Sequence, residues 1–134
     1  MTKSLSVKGF RRIVIKVGSS LVADGNKGAV RHEWLNGLAE DIVALRSDGR
    51  EVILVSSGAI AVGRGHLGMR RRILKLEEKQ AAAAVGQIRL AYVYQEMLRA
   101  HGLTVAQLLL TIGDTEQRRR YLNARNTMET LLRF

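Results

Sequence analysis

The sequence predicts an α/β protein, a three-layer α/β/α arrangement around a mainly parallel sheet. Three observations carry that expectation. Two short apolar runs, 13–15 and 52–55, are dominated by Val and Ile and show no polar alternation, as strands covered on both faces do. Between them, Leu35, Leu38, Ile42 and Leu45 recur at steps of three, four and three, one stripe of a helix. Each run ends in small, polar or glycine residues, where open α/β sheets hold their ligands.

The first run belongs to residues 12–21, Arg-Ile-Val-Ile-Lys-Val-Gly-Ser-Ser-Leu. It starts as a buried strand and ends as a phosphate-sized loop. Lys16 places a cation at the carboxyl end of the strand, and Gly18 eases the turn. Ser19 and Ser20 add hydroxyl and N–H groups suited to an anion. A polar turn follows at 24–28, then the helical stripe, then Gly49 as its C-terminal cap. The second strand is expected over 51–56, and a right-handed crossover would bring Lys16 and Ser56 out at the same sheet edge.

The second strand leads into Ser56-Ser57-Gly58-Ala59-Ile60-Ala61, small residues that let a backbone come close to a ligand. Residues 63–68 satisfy the Gly-x-Gly-x-x-Gly spacing of dinucleotide sites, but not its context. That fingerprint starts directly after a strand and has an acid about twenty residues on, whereas here several residues intervene and a basic run follows. The segment is expected to be a mobile loop. A longer helix is predicted over 77–100, with Ala84, Ile88, Ala91 and Leu98 on one side. Its alanines at 81–84 and Gly86 allow close packing against the sheet, and Gly102 caps it. A third strand is expected over 103–111, a polar connection over 114–120, and a last helix over 123–134 with Met128, Leu131 and Leu132 on one face. The chain stops on Leu-Leu-Arg-Phe without a cap, so the expectation is a sequence cut short whose sheet something else must cover.

Composition narrows the function classes. The chain has 134 residues, 46% of them hydrophobic, enough for one domain with a real core. Without cysteine there is no disulfide framework and no thiolate metal site, and cytoplasm is the expected compartment. No apolar run approaches a membrane span. His32, His66 and His101 are too scattered to suggest a metal cluster, so no metal ligand is assigned. The net charge of +10 is concentrated at residues 70–72 and 118–120, each an arginine triplet. Base stacking needs aromatics, which make up only 4% of the chain, so a solvated basic face is preferred over a nucleic-acid-binding module.

Four segments together resemble glutamate 5-kinases of the amino acid kinase family: Ile-Lys-Val-Gly-Ser-Ser at 15–20, Val-Ser-Ser-Gly-Ala-Ile-Ala-Val-Gly at 55–63, Lys-Gln-Ala-Ala-Ala-Ala-Val-Gly-Gln at 79–87, and Tyr-Leu-Asn-Ala-Arg-Asn-Thr at 121–127. The resemblance implies that residues 1–134 are the N-terminal part of one kinase domain, without an appended RNA-binding-like PUA domain. It implies ATP-dependent phosphorylation of the L-glutamate side-chain carboxylate, with Mg2+ and in a homo-oligomer. By the same resemblance Lys16 is catalytic, and Lys16, Gly18 and Ser19 meet the ATP phosphates. Ser57, Gly58 and Ala59 hold glutamate. Lys79, Gln80, Asn123 and Asn126 fit the pattern but are left out of the site. The Asn- and Asp-bearing substrate loop and the nucleotide-base region of such kinases have no counterpart here, so this chain alone is expected to be inactive, with a non-catalytic fragment as the rival reading.

Overall fold

The computed structural model describes residues 6–24, 28–69 and 73–134. By internal contacts the chain divides into two compact units, Met1–Thr104 and Val105–Phe134. In the first, β1 (Arg12–Val17) leads through a single turn, α1 (Ser19–Val22), to α2 (His32–Ser47). The chain continues through β2 (Glu51–Ser56), α3 (Ala59–His66) and α4 (Leu76–Arg99).

The predicted β-α-β unit is present. β1 and β2 pair in parallel, in register from Arg12 opposite Glu51 to Val17 opposite Ser56. Successive side chains of a strand point to opposite faces. Ile15, Val17, Val52 and Leu54 accordingly pack with Leu35, Leu38 and Ile42 of α2 and Leu90, Tyr94 and Leu98 of α4. On the opposite face Val14 is 60% and Val55 50% exposed. The expectation of two covered faces is therefore met on one face only: the uniform apolar runs are built for two covers, and within this unit helices pack on one.

Helix ends follow local chemistry. Gly49 adopts φ +74°, and the N–H groups of Gly49 and Arg50 donate to Arg46 and Leu45 carbonyls, closing α2. Gly102, also at φ +74°, ends α4 in the same way, with Leu103 N–H donating to the Leu98 carbonyl. Of the polar turn at 24–28, residues 25–27 lie outside the described residues. Its flanks close through an antiparallel bridge between Ala23 and Val30.

Three expectations need correction. Of the segment 63–68 expected as a mobile loop, residues 63–66 lie within helix α3, because α3 is held against α4 where both helices lack side-chain bulk. A Cβ on Gly63 would overlap the Ala82 carbonyl oxygen, and a Cβ on Gly86 would overlap that of Ala59. This contact outweighs the poor helix propensity of glycine, roughly 1 kcal/mol per residue relative to alanine. It also redirects α4, whose small residues meet α3 instead of the sheet. Gly65 serves the other side of α3, where the backbone of Gly28 rests on it, and Gly68 at φ +65° ends the helix. The glycine spacing at 63–68 is thus explained by packing and capping.

The other two corrections concern residues 103–134. Residues 103–111 join no strand ladder among the described residues, and Leu109 is 73% exposed. An apolar run becomes a strand only where a neighbouring backbone offers hydrogen bonds, and none does so here. Within the second unit, α5 (Ile112–Glu116) replaces the polar connection, and α6 (Arg118–Arg133) begins five residues earlier than expected. Asp114 starts α5 by accepting from the Thr111 N–H and hydroxyl, both at 2.7 Å, and these bonds hold its carboxyl below the usual range. The basic triplet at 118–120 occupies the first turn of α6, whereas that at 70–72 lies outside the described residues.

Two measurements check this fold. Gly63→Ala or Gly86→Ala should cost about 2 kcal/mol or more in denaturant unfolding, as expected of overpacking against backbone. Gly37→Ala, where an added Cβ meets nothing within 4 Å, should instead stabilise α2 by about 0.5–1 kcal/mol. At the amino end of the sheet, the Arg12 hydrogen bond at 2.7 Å, followed by the Arg12 and Arg11 charges, holds the Glu51 carboxyl below its ordinary value. A lowered folded-state pKa contributes stability above the unfolded value, lost as pH falls through the folded one. Glu51→Gln should therefore lower stability at neutral and alkaline pH, change little below the folded-state pKa, and so flatten the acid side of a stability profile.

Candidate functional site

The carboxyl ends of β1 and β2 lie side by side, and the ladder runs one step beyond the strands. Ser57 N–H donates to the Val17 carbonyl at 2.9 Å, placing Gly18-Ser19 next to Ser57-Gly58 on one edge. The Val22 side chain, just after the first turn, also lies close to Gly58 of the second. A Cβ on Gly58 would lie 3.2 Å from the Val22 Cβ of α1. The chain folds this way because Val22 is fully buried in the core beneath both turns.

The two glycines do different work. Gly58 sits at φ +119°, where side-chain-bearing residues are strained, and it leads directly into α3. Gly18 sits at φ −75° and ψ 156°, extended backbone open to any residue. The expectation that Gly18 eases the turn is corrected accordingly. A Cβ there would meet nothing within 4 Å, so what glycine supplies is open space over the backbone. Through that space an anion can approach the N–H groups of Gly18 and Ser19.

Lys16 lies one step back from the turn, paired in register with Val55, on the face away from α2 and α4. Its side chain is exposed and makes no ion pair among the described residues. Its charge is thus available to a ligand. Ser19 and Ser57 are exposed, while Gly18, Gly58 and Ala59 are half-buried. The structure therefore gathers Gly18, Ser19, Ser57, Gly58 and Ala59 at one edge, with Lys16 flanking them on the bare sheet face.

Sequence reasoning missed the support behind this edge. The Tyr94 hydroxyl of α4 lies 2.7 Å from Ser56 Oγ, and Ser56 Oγ donates to the Ser57 carbonyl at 3.0 Å. Burial pushes the Tyr94 phenol above its usual pKa, partly offset by the Ser56 bond. No sequence signal distinguishes Tyr94 from the apolar positions beside it. Two cavities, of about 530 and 290 Å3, open elsewhere: one between α2 and α4, the other beside His66 and Arg89. None of the six predicted site residues lines either. Nor do the described residues include any group of three or more His, Asp or Glu side chains that could hold a metal ion. No described helix is long and apolar enough to cross a membrane.

A parallel β-α-β unit with two glycine-bearing turns at one sheet edge, and beside them a lysine that makes no ion pair among the described residues, is the build of an α/β protein. The chain belongs to the amino acid kinase family, which it matches over residues 11–134. Among its relatives, the glutamate 5-kinase of Ruegeria sp. (strain TM1040) is 60% identical over 122 residues, 91% of this chain and 33% of that protein. The glutamate 5-kinase of Rhodopseudomonas palustris (strain BisA53) is 59% identical over 128 residues, 96% of this chain and 34% of that protein. The glutamate 5-kinase of Paramagnetospirillum magneticum (strain ATCC 700264 / AMB-1) is 60% identical over 124 residues. The chain spans about a third of the length of these curated relatives.

The contrast between the glycines is directly measurable. Gly58→Ala should lose about 1–2 kcal/mol of stability through left-handed strain alone. Gly18→Ala should unfold within about 0.5 kcal/mol of the parent, as substitutions that meet no neighbour do.

Proposed function

We propose that this chain supplies the phosphate- and glutamate-holding part of a glutamate 5-kinase. The reaction transfers the γ-phosphoryl group of ATP to the side-chain carboxylate of L-glutamate, giving glutamyl 5-phosphate and ADP, the first step toward proline, in the cytoplasm. The observation that carries this reading is the shared edge. The Ser57 N–H bond to the Val17 carbonyl puts the two turns one ladder step apart, and beside them lies Lys16, which makes no ion pair among the described residues.

The chemistry suits these residues. A carboxylate oxygen forms the bond to the γ-phosphorus while the bond to the bridging oxygen breaks and leaves with ADP. The carboxylate is ionised at neutral pH, so no general base is needed, and catalysis rests on position and charge. Lys16 offsets charge on the transferring phosphoryl group, while Gly18 and Ser19 donate N–H groups to the phosphates. Ser57, Gly58 and Ala59 hold the glutamate. For Mg2+ the described residues include no group of three or more His, Asp or Glu side chains, and no step is assigned to it.

In a full-length kinase carrying this segment, Lys16→Ala should lower kcat by about a hundredfold, the scale of one lost charge-stabilising donor, and change the glutamate KM far less. Turnover at the parent rate would remove Lys16 from the mechanism. The 134-residue chain by itself should release no ADP in response to glutamate.

A further inference from the structure

Tyr94 is 6% exposed, with its ring in the core beside Leu90 and Leu98. A phenylalanine would fill that space, and burying a hydroxyl is unfavourable unless it finds a partner. The partner it finds is a hydroxyl at the last residue of β2, immediately before the turn that presents Gly58.

The direction of the two bonds can be assigned. A serine hydroxyl has one hydrogen. Ser56 Oγ gives it to the Ser57 carbonyl, so Ser56 accepts from the Tyr94 hydroxyl. The relay runs from Tyr94 O–H to Ser56 Oγ, and from Ser56 O–H to the Ser57 carbonyl oxygen. That carbonyl belongs to the peptide joining Ser57 to Gly58. In a planar trans peptide the C=O and N–H point in opposite directions. Drawing the carbonyl to Ser56 therefore turns the Gly58 N–H away from it. The Gly58 N–H has no acceptor among the described residues.

We propose that Tyr94 is a positioning residue: through Ser56 it fixes the peptide between Ser57 and Gly58 so that the Gly58 N–H faces the glutamate carboxylate. This rests on the glutamate 5-kinase reading. Without the relay the peptide can rotate, and a carbonyl oxygen in place of the N–H would repel the carboxylate. Gly58, at φ +119°, is the residue that tolerates either orientation, so the orientation must be imposed from outside the turn. Tyr94 imposes it from a rigid helix, as support for a binding group requires.

The test uses a full-length kinase carrying this segment, with KM measured separately for glutamate and ATP. Tyr94→Phe and Ser56→Ala should each raise the glutamate KM about tenfold, the scale of one hydrogen bond to a charged group, and leave the ATP KM within about twofold. The double variant should be no worse than either single one, because both break one relay. Ser56→Thr, which keeps the hydroxyl, should restore the parent KM. Amide exchange at Ser57 should quicken in Tyr94→Phe. Additive losses, equal rises in both KM values, or an unchanged glutamate KM would overturn the proposal. If the unsubstituted kinase does not phosphorylate glutamate, the functional reading falls, and the exchange rate at Ser57 still decides whether the relay holds the turn.

Discussion

The close approach of α3 and α4 sets the geometry on which the rest of the first unit depends. Gly63 faces the Ala82 carbonyl and Gly86 faces the Ala59 carbonyl, with no room for a methyl group at either place. Backbone pressed on backbone leaves few ways to slide, because carbonyl groups do not change rotamer as side chains do. Ala59, Gly63 and Ala82 therefore fix where α3 begins, and the start of α3 fixes Gly58. The same contact orients α4 so that Tyr94 arrives under the end of β2. One packing choice thus holds the second turn from two directions, along the chain through Ala59 and across space through Tyr94.

The first turn is secured differently. It has no helix of useful length behind it, since α1 is a single turn, and it depends on Val22 sinking into the core beside Gly58. The parallel ladder supplies the remaining constraint, ending with the Ser57 N–H bond to Val17. A site assembled from two chain segments needs both to share a frame, and here the frame is two strands and one valine. Such an arrangement suits the proposed phosphoryl transfer, where holding reactants in line contributes more than proton chemistry.

Much of this was legible in the residues. The stripe from Leu35 to Leu45 and the runs at 13–15 and 52–55 gave the β-α-β unit, because helical and strand periods differ clearly over such lengths. Gly49 and Gly102 marked helix ends through the conformation they adopt. Residues 63–68 misled, since three glycines read as a loop until their neighbours are known. A glycine needed for closeness and a glycine needed for flexibility look alike in sequence. The leucines at 108–110 misled in the opposite sense, because strand formation depends on a partner backbone that an apolar run does not specify. For the candidate site, Lys16 and the small residues of both turns were visible as motifs, whereas Tyr94 lay hidden in an apolar face and is distinguished only by where its hydroxyl ends.

Lys16 shares the uncovered sheet face with Val14 and Val55. In water the attraction between two unit charges about 4 Å apart is near 1 kcal/mol, and it grows to about 4 kcal/mol at an effective dielectric constant of 20. The valines flanking Lys16 are apolar and attract no counter-ions, so any body laid over them would drive water from around the ammonium group. The strength of this cation is therefore set less by the lysine than by its cover. Closing that face would act as a gain control on the charge, raising its pull on a phosphate without moving a single atom of the turn.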